Sequence, residues 1–436
     1  MGNDRYDAVV VGAGPAGSSA ALKMAENDLS VALIERGKEP GSKNMFGGNI
    51  YRKPTAKIIP AFWEEAPLER PLVTDELWMM DKTSAFKVGF TGLEFKKAPY
   101  NKFSAIRSQF DKWFAQQAVN EGAHLLTNSL ATDLVYHKTG LLNKKVDGIK
   151  LDTGEVIYAN VVVLAEGANA ILTKKAGLRG DLEASSMTLY VKEELALPAK
   201  KIEERFKLEP GEGATIGIIG YPTAGVVGKG GIWTNKESLS LIVGGYLNQI
   251  NNKGLNPYQM LYHFKNHPLI KRLIEGAKPI AYKSHIIPKG GYENIPQLYD
   301  DGILVIGDAA MMVSGRRGTD LAMITGLYAA ETVAQARAAQ DFSAKLLKGY
   351  HKRVMNSFFM KNIKKSKSAK KYYKQHPDSD FLIAKAVNDA AYDFFRVQLK
   401  SNKEKMNDIQ KELLNMQPLK KTITDLYYGW KDWGVF

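Results

Sequence analysis

Tyr6-Asp7-Ala8-Val9-Val10-Val11-Gly12-Ala13-Gly14-Pro15-Ala16-Gly17, followed by Ser30-Val31-Ala32-Leu33-Ile34-Glu35, reads as a strand, a glycine turn, a helix and a second strand. Gly12 permits the tight turn, Gly14 lets the backbone approach phosphate oxygens, and Gly17 lets the helix pack closely on the sheet. The helix N-terminus offers free N–H groups to an anion. Glu35 closes the second strand, where its carboxylate can accept both hydroxyls of a ribose. A glycine turn of an ordinary α/β protein would share the turn alone. The two strands and the acid together point to dinucleotide binding.

The rest of the chain sets bounds. Its 436 residues, 44% hydrophobic and 24% charged, suit a folded protein of one large core with appendages, or of two to three domains. It contains no cysteine, so it forms no disulfide and cannot ligate an iron–sulfur cluster through thiolates; any such cluster sits on a partner. The first strand begins at Tyr6, leaving no visible signal peptide, and no run of eighteen apolar residues follows, so a membrane-spanning chain is not expected. The net charge is +14, and residues 341–436 hold 20 Lys and Arg against 10 Asp and Glu. There Lys361, Lys364, Lys365, Lys367, Lys370, Lys371 and Lys374 mix with Phe358, Phe359, Tyr372 and Tyr373. That mixture suits an anionic lipid surface or an acidic protein, or simply a solvated helix face. No helix-turn-helix, RNA-binding or zinc pattern accompanies the charge, so nucleic acid is not expected.

Along the chain, residues 37–51 form a glycine-rich polar loop of the kind that approaches a ligand. Leu77 to Met80, Ala85 to Phe90 and Leu93 to Phe95 read as strands, and Ser108 to Glu121 as a helix stopped by Gly122. Leu125 to Tyr136, Gly148 to Leu151 and the buried run Asn160 to Ala165 read as strands, the last ending at Glu166-Gly167. Residues 184–192 and 214–250 have the profile of a sheet covering a pocket, with a hairpin-like pair at Gly231 to Thr234 and Ser238 to Tyr246. Leu255 to Glu275 reads as helical apart from Pro257 and Pro268. Gly302 to Ala310 is a second strand-to-loop junction with Asp308 at its end, followed by Gly315-Arg316-Arg317-Gly318-Thr319-Asp320 and a small-residue helix to about Ala339. Residues 341–436 read as mostly helical and end in an aromatic tail.

Two glycine-bearing strand ends, far apart in sequence, can face one extended ligand. In this the chain resembles the glutathione-reductase-type flavoproteins. Within them it resembles the family of geranylgeranyl reductases, electron-transfer-flavoprotein:quinone oxidoreductases and Fix C-like flavoproteins. The likeness spans most of residues 5–345 and returns in Gly429-Trp430 and Asp432-Trp433-Gly434. Its most specific pieces are Pro40-Gly41-Ser42-Lys43-Asn44 with Gly47-Gly48, and Gly307-Asp308-Ala309-Ala310 with Arg317-Gly318-Thr319-Asp320-Leu321-Ala322.

The resemblance implies an α/β fold: a glutathione-reductase-type, Rossmann-like FAD domain (residues 1–71, 99–183 and 290–345) with an inserted antiparallel-sheet substrate domain (72–98 and 184–289). A basic, mostly helical C-terminal region (346–436) completes it and contacts a partner or membrane. The implied cofactor is FAD, with Gly12, Gly14, Pro15, Ala16, Gly17, Glu35 and Arg36 at its ADP half. Ser42, Asn44, Gly47 and Gly48 belong to the approaching loop, and Gly167 follows the third core strand. Arg107 matches the family arginine near the phosphates and ribityl chain, Asp308 the acid that binds the ribityl hydroxyls, and Gly315, Gly318 and Thr319 the loop and helix start that meet the flavin ring. For Asp308, a helix N-cap is the plain alternative. Hydroxylase relatives carry Asp-Gly where this chain has Glu166-Gly167, and no second complete GxGxxG unit appears, so neither monooxygenase chemistry nor a dedicated NAD(P)H site is expected.

The same likeness implies the reaction: electrons pass from a reduced electron-transfer flavoprotein, through a cluster on a separate small ferredoxin-like subunit, to FAD on this chain and then to a membrane quinone. The expected location is peripheral, at the cytoplasmic face of the cell membrane. His285, Tyr282 and His124 are proton carriers by residue type alone; a lone histidine is more often a surface or packing residue, and no catalytic acid or base is assigned. Two other readings remain: a reductase that saturates prenyl lipids, and a flavin-bearing scaffold subunit that does not itself turn over quinone.

Overall fold

The structure is a computed structural model, and it describes residues 5–42, 48–138, 144–315 and 317–432. Continuous apolar runs produce its first sheet. Tyr6–Val11 lies between Val31–Ile34 and Val156–Leu164, parallel to both, with Ala8 opposite Val31 on one side and Val161 on the other. Val9, Val10, Val162, Val163, Leu33 and Leu304 have no exposed surface, the state of parallel strands covered on both faces. His124–Leu126 extends the sheet beside Val31–Ile34, and Ile303–Val305 extends it beside Val156–Leu164. All five of these parallel strands therefore end at one edge, where ligands of open α/β sheets bind.

Small residues let two helices cover this sheet at close range. Helix Pro15–Ala25 packs against helix Thr319–Ala339, and a Cβ on Gly326 would stand 2.3 Å from the Ala16 carbonyl oxygen. Ser19 Oγ donates to the Met323 carbonyl at 2.8 Å, fixing the pair in register. Both helix N-termini thus reach the same end of the sheet.

The second sheet has seven strands, in the order Lys278–Pro288, Met187–Ala196, Ser238–Tyr246, Gly228–Thr234, Gly213–Gly220, Leu72–Met80 and Ala85–Thr91. Its neighbours are antiparallel except Gly213–Gly220 and Leu72–Met80, which run parallel. Strands Gly48–Tyr51 and Lys102–Ala105 form a small antiparallel pair. Among the described residues, six helices follow, from Ala344–Met355 to Leu419–Asp432.

Three readings of the sequence change. Leu93–Lys96 is a 3-10 turn, closed by Phe95 N–H on the Gly92 carbonyl, because strand Ala85–Thr91 already ends the sheet. The stretch from Leu125 to Tyr136 is two strands: His124–Leu126 belongs to the parallel sheet and Ala131–Lys138 pairs antiparallel with Lys144–Leu151, with Asn128 at φ 51° between them. Pro257 and Pro268 do not interrupt a helix. They begin Pro257–Asn266 and Pro268–Ile274, where a missing N–H costs nothing, and a capping box of Asn256 with Gln259 supports the first.

Candidate functional site

A single cleft of about 390 Å³ runs from the end of strand Val31–Ile34 to the face of the seven-stranded sheet. Its first section is the glycine turn. Gly12 sits at φ 107°, and a Cβ there would lie 2.5 Å from the Ala165 carbonyl oxygen, so glycine is required twice over. A Cβ on Gly14 would meet nothing within 4 Å, which leaves the helix start open to the cleft. Glu35 accepts from Ala13 N–H at 3.2 Å and Gly37 N–H at 2.6 Å, holding its carboxylate at the turn beside Arg36.

The middle section joins three elements. Arg107 begins helix Arg107–Asn120 and is buried; its Nε and Nη2 donate to the Asp111 carboxylate at 2.6 and 2.8 Å. Its Nη1 donates to Thr319 Oγ1 at 2.8 Å, so the guanidinium ties this helix to the first residue of Thr319–Ala339. Arg317 and Asp320 bracket the same helix start through an ion pair. Asp308 lies at the end of the strand Ile303–Val305 junction, and burial pushes its carboxyl up to about 6 against the pull of Arg107, Lys289 and Arg179.

The far section is supplied by the second sheet. Tyr190 and His285 stand opposite each other on paired strands, as do Thr215 and Trp233, and all four line the cleft. Trp233 Nε1 donates to Asn49 Oδ1 at 3.0 Å, which fixes the indole. Ile218, Ile219, Ile242, Ile287 and Val313 make this end apolar. Burial, followed by the charges of Arg107 and Arg36, pushes His285 below the ordinary imidazole range.

Of the residues expected at the cofactor, Gly12, Gly14, Pro15, Ala16, Glu35, Arg36, Gly48, Arg107, Gly167, Asp308, Gly315, Gly318 and Thr319 line this cleft. Gly17 stands behind it: a Cβ there would lie 1.8 Å from the Gly12 carbonyl oxygen, so its part is helix-to-turn packing. Ser42 is not among the lining residues; its carbonyl accepts from Lys283 Nζ at 2.7 Å. Asn44 and Gly47 lie outside the described residues, as do Trp433 and Gly434. Asp308 lines the cleft, and its short 3-10 element Gly307–Ala310 has no side-chain cap. Glu166 spends its carboxylate on Leu172 N–H, Thr173 N–H and Thr173 Oγ1 at 2.7 to 2.9 Å. Of the three proton-carrying types, only His285 lines the cleft. His124 pairs with Tyr6 Oη at the sheet edge, and Tyr282 is exposed. Asp111, Asn49, Tyr190 and Trp233 were not singled out in the sequence. Asp111 alone had a local signal, its i,i+4 spacing from Arg107.

Residues 6–228 match the family model described as pyridine nucleotide-disulphide oxidoreductase, and residues 360–434 match the ETF-QO/FixC family C-terminal domain. Protein FixC of Bradyrhizobium diazoefficiens is 38% identical over 99% of this chain and 100% of its own length. The chain belongs to the FixC family. FixC of Azotobacter vinelandii is 37% identical, covering 98% of this chain and 99% of the relative. Among solved structures, a geranylgeranyl bacteriochlorophyll reductase-like protein from Thermoplasma acidophilum superposes with a TM-score of 0.68 at 18% identity, over 98% of this chain and 99% of that one. The flavin-dependent brominase Bmp2 superposes at 0.62 and 21% identity, over 84% and 85%. These two share the fold.

A FixC-type chain is an FAD-dependent oxidoreductase, and the residues of this cleft fit that cofactor. Two helix N-termini, a glycine turn in which Gly12 admits no Cβ and Gly14 is open to the cleft, and separate carboxylates at Glu35 and Asp308 suit an extended ligand with a central pyrophosphate and hydroxyls on either side. Asp308 gives this fit a pH dependence. Hydroxyl donors of a bound FAD would favour its charged form, so binding would displace a proton below pH 6, and affinity is expected to fall by up to about tenfold per pH unit there while staying level above it. In the apoprotein the sign is opposite: an acid raised from 3.8 to about 6 stabilises below its unfolded value and loses that as pH rises through 6. Asp308→Asn is therefore expected to raise the apoprotein's Tm at pH 8 but not at pH 4, and to remove the pH dependence of FAD affinity in a flavin-fluorescence titration.

Proposed function

We propose that this chain takes electrons originating on a reduced electron-transfer flavoprotein, by way of an iron–sulfur cluster on a small ferredoxin-like subunit, and delivers them to a membrane quinone. What supports the reading most is the two-part cleft of a FixC-family chain, in which a polar cofactor section opens into an apolar section holding one histidine. When bound, FAD exchanges electrons singly with one carrier and in pairs with another. The chain's own residues do the rest. The start of helix Thr319–Ala339 favours negative charge accumulating beside it. Ile218, Ile219, Ile242 and Ile287 exclude water and accept an apolar ring or tail. Two electrons and two protons turn a quinone into a quinol; an imidazole nitrogen of His285 passes the protons and is recharged from solvent. The chain has no cysteine to ligate a cluster, which is why the proposal puts it on a partner.

Among the described residues no helix is long and apolar enough to cross a membrane, so the proposed position is peripheral, at the cytoplasmic face. The apolar section would equally admit a prenyl chain, which is the second reading. The test is stopped-flow absorbance of the FAD-loaded protein with its native partners, mixed first with reduced electron-transfer flavoprotein and then with a short-chain quinone. Flavin reduction followed by quinone-dependent reoxidation is expected. A flavin that stays oxidised with active partners would overturn the relay. Reduction without reoxidation by quinone would favour the scaffold reading, and reoxidation only by a prenyl lipid the reductase.

A further inference from the structure

The face of the second sheet that lines the cleft also carries a buried ion pair. Lys192 follows Tyr190 by two positions on strand Met187–Ala196 and so shares its face. Its neighbours across the ladder are Lys283 on one side and the cleft-lining Ile242 on the other. Glu194, two positions further from Tyr190, lies opposite Ser240, which in turn faces Trp233. Lys192 and Glu194 are 8% and 5% exposed, and Lys192 Nζ stands 3.2 Å from the Glu194 carboxylate. Glu194 also accepts from Asn235 Nδ2 and Ser240 Oγ, each at 2.6 Å, and from Ser238 Oγ. These three neutral donors fix the carboxylate, and the carboxylate fixes where the ammonium sits. Two desolvated charges are a costly way to hold a sheet together, since a well-packed apolar pair commonly does it as well or better.

The surrounding charges say what the pair can do. Facing Lys192 are Glu194 on its own strand, Lys283 and His285 on strand Lys278–Pro288, and Arg107 with its counter-ion Asp111 on helix Arg107–Asn120; strand Ser238–Tyr246 presents Ile242 and Ser240. Lys283 Nζ donates to the Ser42 carbonyl at 2.7 Å. Burial pushes the Lys192 ammonium below its ordinary range, Glu194 pulls it back, and the charges of Arg107 and Lys283 push it down again. Among the described residues, three cations thus meet two carboxylates where the sheet joins the cofactor section, which favours negative charge there. We propose that Lys192, positioned by Glu194, is a fixed cation that raises the reduction potential of FAD bound in the cleft. Two electrons and one proton leave one negative charge on the flavin, and a cation already in place stabilises it without reorganisation. Lys192 is not among the residues lining the cleft, so it acts through the wall and not by contact. The inference rests on FAD in this cleft and not on the identity of donor or acceptor.

Midpoint potentials of the full, FAD-loaded chain, read anaerobically against reference dyes from about pH 6 to about pH 9, test it without partner or quinone. Lys192→Met is expected to bind FAD but to lower the midpoint by about 30 mV, which is a tenfold loss in the reduced-to-oxidised ratio of a two-electron couple. Lys192→Arg should stay near the wild type. In Glu194→Gln the ammonium loses its carboxylate partner and releases its proton at lower pH. That variant should therefore match or exceed the wild-type midpoint at about pH 6 and sink toward the Lys192→Met value by about pH 9. A purely structural pair would change the melting temperature of these variants and leave every midpoint on the wild-type line. Lys192→Met with the wild-type midpoint throughout would overturn the proposal. Should that variant lose its FAD, a Glu194→Gln midpoint parallel to the wild type at every pH would overturn it instead. A flavin that stays oxidised in the stopped-flow relay would strike the quinone reading and leave these potentials standing.

Discussion

Arg107→Leu is expected to strip FAD from the purified protein and to lower its stability by about 3–5 kcal/mol, a large share of the 5–15 kcal/mol typical of a domain. The guanidinium holds three hydrogen bonds in a buried place, two to Asp111 and one to Thr319. Asp111 is 1% exposed, and taking Arg107 away leaves its carboxylate inside the protein without the charge that it was folded against. At the same time helix Thr319–Ala339 loses the bond that ties its first residue to helix Arg107–Asn120, and the two walls of the middle section become independent.

The double variant Arg107→Leu/Asp111→Leu separates these effects. Removing both charges removes the burial penalty, so urea denaturation should recover most of the lost stability, as exchange of buried ion pairs for apolar residues commonly does. FAD content after gel filtration should stay low, because the cation beside the cofactor section is still gone. Arg107→Lys should fall between, since an ammonium can neutralise Asp111 but cannot form the fork and reach Thr319 together. A double variant that retains FAD like the wild type would reduce Arg107 to a structural residue.

The contrast between Arg107 and the far section explains what the sequence revealed. The glycine turn, the buried runs at Val9, Val162 and Leu304, and the acids at Glu35 and Asp308 belong to local units, in which a strand and the turn after it determine where the side chain goes. The far section has no local unit. Tyr190 meets His285 across 95 positions of chain only because their strands pair in that register, and Asn49 reaches Trp233 from a different sheet. A shift of one residue would turn every one of these side chains to the opposite face. Gly17 shows a second limit. Its place in the motif was evident, but only the 1.8 Å approach to the Gly12 carbonyl separates packing from cofactor contact.

His285→Gln is expected to leave FAD content and flavin reduction by the electron-transfer flavoprotein unchanged while slowing quinone-dependent reoxidation by about 10²-fold, the usual worth of a positioned proton donor. The amide keeps much of the shape and polarity of imidazole, so the cleft should stay packed. The pH profile separates proton delivery from a merely spatial role. Burial and the charges of Arg107 and Arg36 place this imidazole below its ordinary value of 6.5, so its protonated fraction is small at neutrality and falls about tenfold for each further unit. Wild-type reoxidation should therefore quicken as pH drops from 8 toward 6, whereas the glutamine variant should lose that slope. Added imidazole should restore part of the rate in His285→Gly, where it has room to enter. If the glutamine variant reoxidises at the wild-type rate with the same slope, the protons reach the quinone by another route, and His285 is only part of the wall.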